Sequence, residues 1–163
     1  MAINTQPGKK QQITTLRSDI GLDYTHLRNL LMVRQWQKAD EQTWALMCQA
    51  LSKRIGSYLS NSDLETLPCQ DLQIIDQLWT KYSQGHFGFS IQTQIYHTCD
   101  SDYGQFCATV GWYLPYATSA RQQLTFKLSA PTGHLPSHLW ASGTQLGRQM
   151  KALVAKVASC YNC

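Results

Sequence analysis

The chain has 163 residues, 43% of them hydrophobic and only 15% charged, with a net charge of +4 and a pI near 8.8. That length suits one domain with a real core. The mild, scattered basicity, with Lys9-Lys10 and Lys53-Arg54 the only adjacent pairs, excludes a dedicated nucleic-acid binder. No apolar run of ~18 residues could span a membrane, and the first residues lack the apolar core of a secretory signal.

Met1 to Ser18 is polar and reads as part of a loose leader over residues 1–21, with the folded domain over 22–163. Asp23 can cap a helix beginning near Tyr24 and ending near Lys38, with Leu27, Leu30 and Leu31 on one face. Asp40 can cap a second helix carrying Trp44, Met47, Cys48, Leu51 and Ile55, with Gly56 as terminator. Residues 57–67 read as a loop with Asn61 and Ser62 as turn formers.

Pro68 and Asp71 mark a new helix start, because proline fits the first turn and an acid suits the positive end. Leu72, Ile75, Leu78 and Trp79 give it an apolar stripe, broken at Gly85. A helix near 90–98 carries Ile91, Gln94 and Ile95, and a short one lies near 103–110. Residues 113–136 are irregular, with Pro115, Pro131 and Pro136 and no sustained period. A stretch of that kind inside a compact domain is usually functional. A last amphipathic helix over about 144–159 turns Leu146, Met150, Leu153, Val154 and Val157 inward. Strand signals are weak, so the fold class is all-α, with helices burying their stripes against one another.

The stretch Gly85-His86-Phe87-Gly88-Phe89-Ser90-Ile91-Gln92 sets large rings beside a mobile backbone. With Trp112, Tyr113, Tyr116 and Phe126, these rings surround or lie within the irregular segments. Apolar pockets and cores draw on the same residue types, so both readings stand. His86, on its glycine-flanked loop, can meet an anionic ligand or remain a plain surface histidine.

The six cysteines (Cys48, Cys69, Cys99, Cys107, Cys160 and Cys163) read as mostly reduced cytosolic thiols. Cys160-Tyr161-Asn162-Cys163 supplies half of a structural zinc site at most. His97-Thr98-Cys99 is the one other compact pair. The C-x-x-C follows a helix, not a strand, which argues against thioredoxin chemistry. The bland reading is free thiols on a fraying end. Cys99 or Cys107 with His97 or His134 lacks an orienting third group. Phosphate-loop, dinucleotide and zinc-protease motifs do not occur.

Several segments together resemble one family. Asp23-Tyr24-x-x-Leu27-Arg28-x-Leu30-Leu31 leads to Trp36 and Ala39-Asp40-x-x-Thr43. Leu67-Pro68-Cys69-Gln70-Asp71-Leu72 runs into Ile75-Asp76-Gln77-Leu78-Trp79 and then the Gly85–Gln92 stretch. Leu124-Thr125-Phe126-Lys127-Leu128-Ser129-Ala130-Pro131-Thr132-Gly133-His134-Leu135-Pro136 follows. In order and spacing, over about 22–136, this resembles the genomes-uncoupled-four family of tetrapyrrole-binding activators of magnesium chelatase in oxygenic phototrophs.

The resemblance implies an all-helical cupped hand with an apolar, loop-bounded ligand face. It implies a non-catalytic protein with no obligatory cofactor that binds protoporphyrin or magnesium porphyrin. Its partner would be the large porphyrin-binding subunit of magnesium chelatase. The setting would be cytoplasmic, of cyanobacterial type, at most peripheral to the thylakoid membrane. A linear bilin, with the chain acting as a sensor through another signalling protein, is the alternative.

Burying ~400 Å² of a porphyrin plate yields on the order of 10 kcal/mol gross, much of it offset by association costs, leaving roughly micromolar affinity. Phe87, Phe89, Ile91, Ile95, Trp112 and Phe126 are the candidates for the plate. Arg121, Lys127 and His86 are the candidates for the propionates. No metal ligand is assigned. His86 stands where the family usually carries arginine, which implies weaker or pH-dependent propionate pairing. Residues 112–123, where a covering loop would lie, diverge. The helical domain that precedes the core in many cyanobacterial members has no counterpart in the ~22 residues before the match.

Overall fold

The computed structural model describes residues 15–112, 124–141 and 146–162. Among them are seven helices and no strands: α1 (Thr25–Met32), α2 (Trp36–Ala50), α3 (Asn61–Thr66), α4 (Cys69–Tyr82), α5 (Phe89–Thr98), α6 (Tyr103–Val110) and α7 (Leu146–Tyr161). The all-α expectation holds. α4 is the hub, packing against α1, α2, α5 and α7, while α3 and α6 attach to α7 and α5.

The hub is central because its apolar stripe is wide. Leu72, Ile74, Ile75, Leu78 and Trp79 are all buried. Trp79 stacks on Trp36 at 6.0 Å between ring centroids, and both meet the edge of Phe87. The indole N–H of Trp79 donates to Thr43 Oγ1 at 2.9 Å, so the ring is buried without stranding its polar atom.

Four helices end on a non-glycine residue in the left-handed region, although glycine stops were expected at two ends, Gly56 and Gly85; at the latter Gly85 follows directly and its N–H donates to Thr80 O. α1, α2, α4 and α5 end on Arg34, Ser52, Gln84 and Asp100, each with φ between 53° and 59°. In each, two backbone amides fold back on the last turn; at α1 these are Arg34 N–H to Leu31 O and Gln35 N–H to Leu30 O. This closure uses backbone donors to satisfy orphan carbonyls and needs no glycine.

The expected helix to Lys38 therefore breaks after Met32, and the turn at Arg34 carries Trp36 into the core. Asp40 consequently lies inside α2 and does not cap it. α2 also ends before Ile55, which is 59% exposed. The expected loop over 57–67 contains α3, started by a capping box in which Ser60 Oγ and the Asp63 carboxylate satisfy each other's amides.

Residues expected in the leader are packed. Leu16 lies against the core, its carbonyl accepts from Tyr24 N–H at 2.6 Å, and Ser18 is buried.

The cysteines are not all the reduced thiols expected. Cys69 and Cys160 form a disulfide across 91 residues, so Cys160 is not a free thiol on a fraying end. The physical reason is tertiary: α7 lies along α4 and brings its last turn to the start of α4. Cys48, Cys99 and Cys107 are free and buried. Cys163 lies outside the described residues.

Candidate functional site

The site is built on α5 and the loop 124–136. Gly88, at φ 137°, turns the chain into α5. A Cβ there would meet Thr80 Cγ2 at 2.6 Å and Asp76 Oδ1 at 2.9 Å. Glycine brings no capping side chain, so Asp76 of α4 supplies the cap. Its Oδ1 accepts from Ser90 N–H at 2.8 Å and Ser90 Oγ at 3.0 Å. Burial pushes the Asp76 carboxyl up, opposed by these donors.

The helix so started buries Phe89, Gln92 and Tyr96. Ile91 and Ile95, one turn apart on another face, stay partly exposed. The inward face of α5 is thus the Phe89–Gln92–Tyr96 face, and the plate candidates Ile91 and Ile95 lie off it. Gln92 escaped notice because a polar residue looks like a surface one. Its amide instead donates to Gly133 O at 3.0 Å and Pro136 O at 2.6 Å. The signal available was its three- and four-residue spacing from Phe89 and Tyr96.

The loop is stapled to this helix and its neighbours. Gly133 sits so close to α5 that a Cβ would lie 2.7 Å from Ile95 Cδ1. Gly133 N–H donates to His86 O, and Gly88 N–H to Leu135 O. His134 is buried between two backbone groups: its Nδ1–H donates to Val110 O at 2.7 Å and its Nε2 accepts from Thr125 N–H at 2.9 Å. These partners define one tautomer, because a carbonyl only accepts and an amide only donates. Burial pushes the His134 pKa down. Trp112 Nε1–H donates to His134 O at 2.9 Å, so one histidine holds both sides of the loop to the end of α6.

The sequence candidates separate on this frame. Phe87 is fully buried, Phe89 is 1% exposed and Trp112 is 4% exposed. They pack as core rings, on Trp36 and Trp79 in the first case and on Phe106 in the last. His86 is partly exposed but committed: its Nε2–H donates to Ala130 O at 2.6 Å and Thr132 Oγ1 lies 3.2 Å from Nδ1. It ties loop to loop instead of standing free for a propionate. Ile91, Ile95 and Phe126 remain partly exposed, and Lys127 is exposed. The tie of Thr125 to His134, next to Gly133 on Ile95, brings the start of this loop to the α5 side. Leu124 and Leu128, not among the candidates, add partly exposed apolar surface on either side of Phe126. Arg121, Tyr113 and Tyr116 lie outside the described residues.

Chemically, the described residues offer partly exposed aliphatic side chains on α5 and partly exposed apolar side chains with an exposed lysine on the loop. Among the described residues no cluster of histidine, cysteine, aspartate and glutamate has an arrangement suited to a metal ion. Elsewhere, a small pocket beside Trp44 and Leu139 has room for about one water, ≈ 10 Å³. Among the described residues no helix is long and apolar enough to cross a membrane.

Fold and site define the class: a domain whose described residues form helices and no strands, with partly exposed apolar side chains on one helix and on a stapled loop. The chain belongs to the GUN4-like family, whose model it matches over residues 17–154. It is 34% identical over 134 residues to the chloroplastic tetrapyrrole-binding protein of Arabidopsis thaliana, covering 74% of this chain and 50% of that protein. It is 32% identical over 137 residues to the ycf53 protein of Pyropia yezoensis, covering 82% and 58%. For the ycf53-like protein of a Synechocystis species the figures are 32% over 127 residues, 76% and 54%. The chain thus spans between 50% and 58% of these relatives' length.

Among solved structures, GUN4 from Chlamydomonas reinhardtii superposes with a TM-score of 0.72 at 24% identity, covering 88% of this chain and 93% of that one. Ligand-free GUN4 of Arabidopsis thaliana gives 0.63 at 28% identity, covering 81% and 94%.

Proposed function

We propose that this chain binds a porphyrin or magnesium porphyrin and acts, without catalysis of its own, as a regulator of magnesium chelatase in chlorophyll biosynthesis. One observation carries the reading. In a chain 34% identical to a plant tetrapyrrole-binding protein, Ile91 and Ile95 stay partly exposed beside a loop bearing Phe126, Leu128 and Lys127. A flat apolar plate with acidic propionates at one rim matches aliphatic and aromatic side chains edged by an ammonium group. The stapling of the loop supports affinity, because a surface already ordered costs less to bind. The large chelatase subunit is the proposed partner, in a cyanobacterial-type cytoplasm or at the thylakoid periphery.

Covalent attachment of a linear tetrapyrrole is disfavoured. Cys99 and Cys107, the cysteines nearest in sequence, are 9% and 1% exposed, and burial pushes the Cys107 thiol up, away from the reactive thiolate.

The test is a tryptophan-fluorescence titration with deuteroporphyrin, followed by magnesium-insertion assays with the chelatase subunits. Quenching with a Kd near micromolar and faster insertion are expected. No binding below ~100 μM ends the ligand half. Tight binding with an unchanged insertion rate ends the regulatory half.

A further inference from the structure

The disulfide Cys69–Cys160 joins the first residue of α4 to the last turn of α7. Two further contacts lie beside it. Gln73 Nε2 donates to Cys160 O at 2.7 Å, and the Tyr161 hydroxyl donates to Asp76 Oδ2 at 2.6 Å. The other oxygen of that carboxylate caps α5 through Ser90. The chain of connection is therefore short: disulfide, adjacent Tyr161, Asp76, first turn of α5. No other side chain in this chain of contacts is covalently held, and Tyr161 is itself 39% exposed at the end of its helix.

We propose that Cys69–Cys160 is a reducible clasp, and that opening it with a dithiol loosens the N-terminal turn of α5. Cys160 is 2% exposed, whereas Cys69 is only partly buried, so the Cys69 sulfur is the point of attack. A thiolate of the dithiol bonds to Cys69 Sγ, and the Cys160 sulfur leaves as a thiolate that takes up a proton. The second thiol of the reductant then displaces Cys69. The dithiol is oxidised to its cyclic disulfide, and two protein thiols result.

With the bond open, the last turn of α7 is held by weaker contacts alone and frays, as helix ends do. Tyr161 then withdraws from Asp76. That carboxylate, buried and already resisting charge, loses a donor and caps Ser90 less well. Gly88 has no side chain to replace it. The opening of α5 concerns the polypeptide alone; a consequence for the Ile91–Ile95 face rests on the function proposed above.

The experiment is amide hydrogen exchange on the full chain, oxidised and after dithiothreitol, with thiol titration reporting the opening. The Ser90 amide is expected to exchange about tenfold faster or more in the reduced protein, while the amides of α1 and α2 keep their protection. Tyr161→Phe, with the disulfide intact, reproduces the acceleration at Ser90. Unchanged exchange at Ser90 on reduction overturns the proposal. So does uniform acceleration throughout the chain, which marks a simple staple, and so does a Tyr161→Phe protein that exchanges like the parent. Deuteroporphyrin affinity, measured alongside, falls on reduction. If Ser90 accelerates and that affinity is unchanged, the clasp stands and α5 is not the ligand face.

Discussion

Asp40 and Ser137, 97 residues apart, close on each other with both oxygens of one carboxylate. Asp40 Oδ1 accepts from Ser137 N–H at 2.6 Å, and Oδ2 accepts from Ser137 Oγ at 2.5 Å. Asp40 is 5% exposed in the second turn of α2. The loop that leaves the candidate face is thus pinned to α2 by two short hydrogen bonds. Asp40→Ala leaves the Ser137 amide buried without this acceptor, and is expected to cost about 2–4 kcal/mol in urea unfolding. Asp40→Asn keeps one acceptor and costs less. Equal losses for the two variants would show that the acceptor is not what matters.

Core and face on α5 separate by substitution. Phe89→Ala is expected to cost about 3–5 kcal/mol of stability, because the ring is 1% exposed. Ile91→Ala, at a partly exposed position, costs about 1 kcal/mol or less and weakens deuteroporphyrin affinity roughly three- to tenfold. Urea denaturation and fluorescence titration on the same preparations check both. A stability loss at Ile91 as large as that at Phe89 would return Ile91 to the core.

Gly88 carries two independent demands, a φ of 137° and the close approach of Thr80 and Asp76. Gly88→Ala is expected to destabilise by about 2–4 kcal/mol. Adding Thr80→Ser removes the 2.6 Å methyl contact and restores part of that loss, leaving the backbone strain. Full restoration by Thr80→Ser in denaturant unfolding would mean that the backbone is not strained.

Acid should unfold the chain partly through His138. Its ring lies 4.3 Å from that of Trp112, and its buried Nδ1 has no partner among the described residues. Burial, with His134 as a like charge nearby, pushes its pKa down to about 4 from 6.5. The unfolded chain therefore binds the proton more readily. The stability held by the neutral ring is complete above pH ~6.5 and is lost as pH falls toward ~4, by on the order of 3 kcal/mol. His138→Phe keeps an aromatic ring against Trp112 and removes the titration. Urea midpoints between pH 7 and pH 4 are expected to fall less in this variant, and parallel falls would exclude His138 as a contributor.

Much of the fold was legible because local rules act over a few residues. Pro68 with Asp71, the apolar spacing of α4, the short α6 and the long α7 could be read directly. The break after Met32 could not, because Arg34, Ser52, Gln84 and Asp100 bear no mark of the left-handed conformation they adopt. α3 was hidden for a related reason: Ser60 and Asp63 suit a turn as well as a capping box.

At the site, the residue types were legible and their orientation was not. The order of motifs identified the family, and the glycines and rings of 85–92 marked the region. Whether Phe87 and Phe89 line a surface or fill the core depends on what lies on each side of them. Trp36 and Trp79 reach Phe87 only after α2 folds onto α4.

The sequence by itself determined that this chain is helical, where most of its helices lie and to which family it belongs. Each of those rests on residue type and spacing along the chain. Tertiary structure alone decided that Cys69 meets Cys160, that Asp76 caps a helix begun by a glycine, that His86 and His134 fasten a loop, and that Ile91 and Ile95 stay partly exposed. Those are contacts between residues up to 91 apart, and a side chain's partners at that range are set by how helices pack.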